Sequence, residues 1–303
     1  MKWQKQGLIY APSGKLWWAK TYATIPTVEV LEEKRLRVYF AALDEHSYGR
    51  IGYVDLDADA PNRILAESIE PVLDIGKQGT FDDSGVNPSC IVNVNGKKFL
   101  YYIGWQRCER IPYMLFAGLA VSDDSGKTFI KHSQTPVLDR IPEEPFLRSA
   151  TTIIRENGIF KAWYVSAFDW IEVNSVKYPT YVIRYTTSKD GITWQNYKHI
   201  CIDLADDEFG FGRPWVIKEK NKYLMWYSIR SKVRPYRLGY AESENGIDWT
   251  RKDDEVGIYN SESGWDSEMI CYPCVVDVKG KRYMFYNGNR HGSSGFGYAI
   301  LKN

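Results

Sequence analysis

Short runs of alternating apolar and polar residues, separated by clusters of turn-forming residues, recur along the whole chain. Alternation with a period of two is typical of half-buried β-strands. Each repeat reads as a strand, a polar hairpin turn and an aromatic-rich strand. The repeats begin at Pro26, Pro88, Ala150, Pro214 and Pro273. Their spacings of 62, 62, 64 and 59 residues indicate one structural unit repeated five times, and we number these units one to five.

A third strand follows in every unit, and in units two to four a polar turn of similar composition comes after it. The turns are VSDDSGKTF from Val121, TSKDGITW from Thr187 and ESENGIDW from Glu242. Their Ser, Asp or Asn, and Gly residues suit a tight turn with positive φ, and the aromatic residue then begins a fourth strand. The first turn fits the Asp-box pattern S-x-D-x-G-x-T-W/F, which resembles the turns that staple propeller blades.

Five four-stranded antiparallel units predict an all-β fold, a single five-bladed β-propeller domain over residues 1–303. The last unit ends after its third strand. Residues 3–10 resemble the segment 249–259 of unit four. We therefore expect residues 3–10 to supply the missing strand of the C-terminal unit and to close the ring, which removes an open sheet edge.

Composition narrows the classes of function. A net charge of +1 gives no reason to expect nucleic acid or a membrane as partner. The N-terminus has no apolar segment like that of a signal peptide, and five scattered cysteines favour a reduced, cytoplasmic protein. The four histidines have no metal-ligand spacing, so we expect no metal and no cofactor. The oligomeric state stays open.

Acidic residues stand at one aligned position, five or six residues upstream of the first strand, in four units. They are Asp82 and Asp83 in unit two, Glu143 and Glu144 in unit three, Glu208 in unit four, and Glu268 with Asp266 in unit five. In a propeller, the loops before the first strands and the loops between strands two and three lie on one face. The alignment therefore predicts a ring of carboxylates around the channel mouth; the alternative is that they are ordinary loop acids.

Unit one departs from this pattern. Its Trp18 aligns with Trp265 of unit five, which places Ala19 and Thr21 where unit five has Asp266 and Glu268. Lys20 lies between them.

The loops between strands two and three are basic and aromatic. Arg148 and Arg213 each stand just before a first strand. Together with the basic residues of the loops, they could face the same mouth; the full set is Arg50, Arg107, Arg148, Arg213, Arg230, Arg234, Arg290 and His291. Guanidinium groups suit the binding of phosphate or carboxylate, but Arg148 and Arg213 could equally pair with carboxylates and hold units together. Trp105, Trp170, Tyr236 and Tyr272 are aromatic residues that could stack on a sugar or simply cover the loops.

The repeats, the SKDGITW-type turns and the acids at the strand mouths together resemble the five-bladed propeller glycosidases. These include arabinanases, invertases, levansucrases and mannoside phosphorylases. The closest local similarities are FDDSGVNPS, EFGFGRPW and GWDSEMICYP, which resemble glycosidase-like proteins of bacterial polysaccharide gene clusters. The resemblance covers the whole chain.

In the hydrolases of this group, an Asp of blade one is nucleophile or base, an Asp of blade two stabilises the transition state, and a Glu of blade three is the acid. The resemblance implies Asp83 or Asp82 for the second role and Glu144 for the third. Nothing between Thr21 and Thr24 matches the first role. In the phosphorylases, one carboxylic acid suffices and phosphate is the nucleophile.

These observations predict a carbohydrate-active enzyme that cleaves or transfers a glycosyl group of a saccharide or sugar-phosphate substrate. Hydrolysis and phosphorolysis or transfer both stay open. Asp83 is the first candidate for the acid, with Glu208 and Glu268 next, and Arg148, Arg213 and Arg290 would hold an anion. The alternative is a non-catalytic propeller that binds a glycan or an anionic metabolite. A sialidase is disfavoured because sialidases have six blades.

Overall fold

The computed structural model describes residues 1–32, 34–195 and 199–302. Within these ranges the chain forms twenty β-strands, with one 3-10 turn at Asp253–Glu255 and one helical turn, α1, at Asn289–Gly292. No helix of the described part is long and apolar enough to cross a membrane. The fold is all-β, as the alternating pattern predicts.

The strands group into four-stranded antiparallel units that match the sequence repeats. β1 is Trp3–Tyr10. Unit one contains β2 (Thr21–Glu32), β3 (Arg35–Leu43), β4 (Gly49–Asp57) and β5 (Ile64–Glu67). Unit two contains β6 (Gly85–Val94), β7 (Lys97–Arg107), β8 (Tyr113–Ser122) and β9 (Ile130–Lys131). Unit three contains β10 (Arg148–Glu156), β11 (Ile159–Val173), β12 (Val176–Ser188) and β13 (Ile200–Ile202).

Unit four contains β14 (Glu208–Lys218), β15 (Tyr223–Ser231), β16 (Arg237–Ser243) and β17 (Thr250–Arg251). Unit five contains β18 (Cys271–Val278), β19 (Lys281–Asn287) and β20 (Phe296–Leu301). Its fourth strand is β1, which pairs antiparallel with β20 from Trp3 opposite Leu301 to Tyr10 opposite Phe296. Residues 3–10 therefore pair where the sequence places them.

The first strands of the units form the centre of the molecule. β2 contacts β6, β6 contacts β10, β10 contacts β14, β14 contacts β18, and β18 contacts β2. Each of these strands carries a β-bulge near the point where it reaches the centre. In four units one bulge residue is left-handed: Ile25 (φ 56°), Ala150 (φ 52°), Arg213 (φ 36°) and Tyr272 (φ 55°). A bulge re-aims the side chain that it contains.

Aromatic residues of the second strands fasten each of three units to its successor. The acceptor is the carbonyl of the left-handed glycine in the next unit's polar turn. The bonds run from Tyr39 to Gly126 (2.9 Å), from Tyr101 to Gly191 (2.8 Å) and from Trp163 to Gly246 (2.6 Å). The three glycines have φ between 77° and 79°, so the positive φ predicted for these turns is confirmed.

The acid of each turn fixes its shape. Asp124 Oδ1 accepts hydrogen bonds from the amides of Lys127 and Thr128, both at 3.0 Å. Burial opposes ionisation of this group, but hydrogen bonds from Ser122 and Thr128 lower the pKa of Asp124 to about 2. Such turn acids serve the fold by holding backbone amides.

Arg213 lies at the centre of the molecule, among the first strands. Its Nη1 donates to the carbonyls of Pro26 at 2.7 Å and Tyr272 at 3.3 Å. Its Nη2 donates to Thr27 Oγ1 at 2.8 Å and to the Ser89 carbonyl at 3.3 Å. The side chain is fully buried, and burial lowers its pKa. One guanidinium thus joins the first strands of units one, two and five to its own unit four.

We expect Arg213→Lys to lower the free energy of unfolding by about 3 kcal/mol, because an ammonium cannot reach the acceptors that the planar fork serves and would leave buried groups unpaired. Urea unfolding followed by tryptophan fluorescence measures this. Arg63→Lys, in an exposed pair with Asp57, is the control and should stay within about 0.5 kcal/mol of the wild type. Equal small effects of both variants would contradict the axial role.

Candidate functional site

A pocket of about 760 Å³ lies where the loops before the first strands meet the loops between strands two and three. We call it the axial pocket. Its lining consists of Tyr22, Thr24, Ile25, Leu43, Ser47, Gly49, Ser84, Gly85, Asn87, Trp105, Arg107, Pro112, Tyr113, Val173, Asn174, Val176, Tyr178, Phe209, Arg230, Ser231, Lys232, Tyr236, Tyr272 and His291. All five units contribute, and this is the face that the sequence marks as functional.

Left-handed backbone places part of this lining. Tyr22 (φ 62°) and Ile25 (φ 56°) come from β2, and Tyr272 (φ 55°) comes from β18. Positive φ is uncommon for residues other than glycine and is an outlier for a β-branched residue such as Ile25. The Tyr272 amide is held by Ser228 Oγ at 2.8 Å. Backbone strain of this kind clusters at ligand sites, where surrounding contacts maintain it.

Aromatic rings cover the walls of the axial pocket. Trp105 and Tyr113 of unit two pack with ring centroids 4.8 Å apart, and Tyr178 and Phe209 pack at 5.4 Å. On the unit four and unit five side, Tyr236 packs on Tyr272 at 6.2 Å and on His291 at 5.1 Å. Such walls offer flat apolar faces of the kind that stack on sugar rings.

The charged groups of the lining are all basic: Arg107, Arg230, Lys232 and the titratable His291. Among the described residues that form the lining, no aspartate or glutamate occurs. Arg230 donates through Nε to the Tyr236 hydroxyl, and its guanidinium lies 5.1 Å from the Tyr181 ring. Partial loss of hydration where the ring packs on Tyr236, together with the nearby Arg230, lowers the pKa of His291 to about 4, so this imidazole is neutral at pH 7. The fixed positive charge facing the pocket therefore comes from the arginines and Lys232.

Arg107 is held at the rim. Its Nη2 donates to the Ser47 carbonyl at 2.6 Å and the His46 carbonyl at 3.3 Å, and its guanidinium lies 4.7 Å from the Tyr48 ring. These contacts join the loops of units one and two beside the pocket.

Asp82 does not face the pocket. Its side chain is buried inside unit two, where it accepts a hydrogen bond from the Tyr102 hydroxyl at 2.8 Å and pairs with Lys131 at 2.6 Å. Asp266 repeats this arrangement in unit five, with Tyr286 at 2.9 Å and Lys5 at 2.7 Å. In both units the tyrosine comes from the second strand and the cation from the fourth strand.

Glu144 and Glu208 are also held by cations within their units. Glu144 accepts from the Tyr164 hydroxyl at 2.8 Å and lies 3.4 Å from Arg148 Nε. Glu208 accepts two hydrogen bonds from Arg251, at 2.7 and 2.8 Å, and lies 3.1 Å from Arg237. Asp82, Glu144, Glu208 and Asp266 therefore do not form the carboxylate ring that the sequence predicts at the mouth. Catalytic roles for them stay predictions.

Unit one lacks both halves of this arrangement. Ala19 stands at the acid position, and Phe40 stands where the other units have the tyrosine. Trp18 stacks on Phe40 at 6.1 Å, as Trp265 stacks on Tyr286 at 5.1 Å. The missing acid of unit one is thus matched by a missing hydroxyl, which is the compensation expected for a structural pair.

Four further residues that the sequence predicts for the site lie outside the lining of the axial pocket. Asp83 lies beside the pocket lining, and its carboxylate accepts from the Gly79 amide at 2.8 Å and from Ser84 Oγ at 2.7 Å. Glu268 and Arg290 are exposed outside the lining. Lys20 donates to the Gly14 carbonyl at 3.1 Å.

Arg148 and Arg213 do not face the pocket. Arg148 is buried against Glu144 and the Asp139 carbonyl, and Arg213 occupies the axis. The alternative that these two hold the structure together is the one that their contacts support.

The structure brings Trp105, Tyr272 and His291 together in the pocket, as the sequence suggests. The loops between strands two and three also supply Arg107, Arg230 and Tyr236 to the lining, as the sequence also suggests. Sequence reasoning missed Thr24 and Asn87 on the first strands and Tyr178 on the β11–β12 hairpin. The Asn-Pro pair within β6 resembles the Ile-Pro, Arg-Pro and Tyr-Pro pairs of other units, and this alignment was the available signal. Over the described ranges no three His, Cys, Asp or Glu side chains cluster as a metal site.

Comparison with known proteins gives a family and a fold. The chain is 37% identical over 304 residues to the uncharacterised protein Rv1502 of Mycobacterium tuberculosis, and the match spans all of both chains. A glycosyl hydrolase from Bacteroides ovatus superposes with a TM-score of 0.74, 16% identity, and coverage of 99% of this chain and 92% of that one. No family model matches the chain.

A structure from the GH130 family of mannoside phosphorylases superposes with a TM-score of 0.73 and 17% identity, covering 99% of this chain and 93% of that one. That family contains glycoside hydrolases that target β-1,2 mannosidic linkages in Candida mannan. Similarity at these identities establishes a shared fold.

We expect Asp82→Asn to destabilise the protein by about 3 kcal/mol, because Lys131 would keep a largely buried charge without its counterion. Ligand binding in the axial pocket should not change. Urea unfolding and titration calorimetry measure the two effects. Asp123→Asn, in an exposed pair with Lys97, is the matched control. A variant that is stable but does not bind would instead place Asp82 in the site.

Proposed function

Since the chain belongs to the family of the mycobacterial protein Rv1502 and shares its fold with glycoside hydrolases, we propose that it is a carbohydrate-active protein whose axial pocket binds an anionic saccharide. The observation that carries this proposal is a concave site with aromatic walls and basic groups but no carboxylate among its described lining residues.

We also propose that residues 1–303 form one five-bladed propeller, in which the five units are the blades and β1 closes the ring. The pairing of β1 with β20 and the contact of β18 with β2 support this arrangement. In such a ring every first strand faces the axis, and the pocket is the mouth of the central channel.

Each part of the lining has a partner on an anionic saccharide. Apolar faces of a sugar ring would stack on Trp105 and Tyr113. A phosphate or carboxylate group would bind Arg230, which donates to the Tyr236 hydroxyl and packs against the Tyr181 and Tyr236 rings. Guanidinium groups form paired, charge-assisted hydrogen bonds with such anions.

The lining does not support hydrolysis by a pair of carboxylates. That chemistry needs two carboxyl groups that flank the glycosidic bond, about 5 to 10 Å apart. The carboxylates of units two to five that the sequence singles out are either engaged with cations or outside the lining. Binding is therefore the function that the geometry supports best.

Glycosyl transfer to phosphate is the second candidate. It needs one acid and a bound anion, and Asp83 directly precedes the lining residues Ser84 and Gly85. In this reaction phosphate oxygen attacks the anomeric carbon, the glycosidic bond breaks, and the acid's proton passes to the leaving oxygen. The shared fold with the GH130 family favours this candidate over the other transfer reactions.

We expect Arg230→Met to weaken the binding of inorganic phosphate, hexose 1-phosphates and hexuronates by about 10- to 100-fold, because a charge-assisted hydrogen bond is lost. Titration calorimetry at fixed ionic strength measures this. Arg234→Met is the matched control, since Arg234 lies in the loop directly after β15, the strand of Arg230, but pairs with Asp207 outside the lining. Binding of neutral oligosaccharides alone by the wild type would exclude the anion site.

We expect Asp83→Asn to abolish any phosphorolysis, measured as release of a sugar 1-phosphate from mannosides and glucosides in phosphate buffer, because the amide cannot donate the proton. Affinity for phosphate should survive. Glu109→Gln, an exposed acid of the β7–β8 loop, serves as control. If the wild type binds anions and turns over none of these substrates, the transfer reaction is excluded and the binding function stands.

A further inference from the structure

Two polar side chains at the floor of the axial pocket have no partner among the described residues. Asn87 is 8% exposed and Thr24 is 9% exposed, and both line the pocket. Neither the Asn87 amide nor the Thr24 hydroxyl makes a hydrogen bond within the described ranges. Their polar atoms reach the pocket, so their hydrogen-bonding capacity is open to a ligand there.

Asn287 shows how the same residue type behaves in a structural role. It is fully buried, accepts from the Ile25 amide at 2.7 Å, and donates to the carbonyls of Ala23 at 2.7 Å and Gly295 at 2.9 Å. Its hydrogen-bonding capacity is used inside the protein. The hydrogen-bonding groups of the Asn87 amide are instead available to a ligand in the pocket.

The surrounding backbone keeps the floor open. Gly49 and Gly85 face each other across the parallel contact between β4 and β6 and line the pocket beside Asn87. A Cβ on Gly49 would stand 3.6 Å from Asn87 Oδ1, which is ordinary contact. The absence of a side chain at Gly49 therefore leaves room next to the amide.

We infer that Thr24 and Asn87 form a hydroxyl-binding subsite that orients the saccharide, with its hydroxyl groups on the floor and its anionic group at Arg230. This inference rests on the proposed function. A sugar hydroxyl both donates and accepts, and the amide and the threonine hydroxyl each offer both capacities. Units one and two thus recognise the neutral part of the ligand, and unit four recognises its charge.

Two simpler ligands would each satisfy only one end of the pocket. An inorganic anion would use Arg230 and leave the floor unpaired, and a neutral sugar would use the floor and leave the guanidinium without an anion. A hydroxylated ring that carries one phosphate or carboxylate satisfies both ends. Sites built around hydrogen bonds discriminate strongly against analogues that lack the matching group.

The test is titration calorimetry of the full chain with three kinds of probe: inorganic phosphate, the 1-phosphates of glucose, mannose and galactose, and glucuronate with galacturonate. We expect Asn87→Ala to weaken the best-binding sugar probe about tenfold, the effect of one or two lost hydrogen bonds, and to change phosphate binding less than twofold. The sugar phosphates and the hexuronates distinguish the two sources of negative charge. Asn93→Ala is the matched control, an exposed asparagine on the same strand.

Thr24→Val is the second variant, because it keeps the side-chain shape and removes the hydroxyl. It should reproduce the selective loss of sugar binding even if Asn87→Ala folds poorly. Sugar binding that neither variant weakens would overturn the subsite and leave the proposed function standing, and so would an equal loss of phosphate and sugar binding. A wild type that binds none of the probes would overturn the proposed function and the subsite together.

Discussion

A single guanidinium at the centre of the molecule constrains everything above it. Arg213 occupies the place where the first strands converge, and its hydrogen bonds reach three units besides its own. No carboxylate of the described chain pairs with it, so carbonyl and hydroxyl oxygens stabilise the buried charge, together with the Trp215 ring 4.8 Å away. The first strands are therefore held together by hydrogen bonds where they converge. A ligand in the axial pocket contacts Tyr272, whose carbonyl accepts a hydrogen bond from Arg213. It also experiences the positive potential of the Arg213 guanidinium.

The acidic residues of the mouth loops illustrate how a familiar residue type can serve the fold. In units two and five an acid, a tyrosine of the second strand and a cation of the fourth strand connect inner, middle and outer parts of one sheet. Unit one replaces acid and tyrosine by Ala19 and Phe40 together, and it retains the aromatic stack. The same fold can therefore keep its acids while its pocket presents none, and acids near the first strands do not by themselves imply hydrolysis.

The period of the repeat, the hairpins, the pairing of residues 3–10 and the face that carries the axial pocket could all be predicted from the sequence, because they depend on patterns that recur several times. The carboxylates could not be placed, because spacing along a loop does not say whether a side chain turns into its own sheet or toward the axis. Tyr102 and Lys131, which decide the matter for Asp82, are distant in the chain. Asn87 was missed for a different reason: its importance lies in the partners that it lacks, and only coordinates reveal those.

The pairing of β1 with β20 has a consequence for how the protein is made. The ribosome delivers β1 before any other strand of unit five, and Phe296–Leu301 emerges only after four other units have been synthesised. Until then β1 has no strand to pair with, and apolar side chains that the fold buries, such as Trp3 and Tyr10, stay exposed. Pairing between strands so far apart in the chain is slow to form, and an exposed strand can pair with other chains in the meantime. Nascent chains are therefore most vulnerable to aggregation in the interval before translation reaches the last strand.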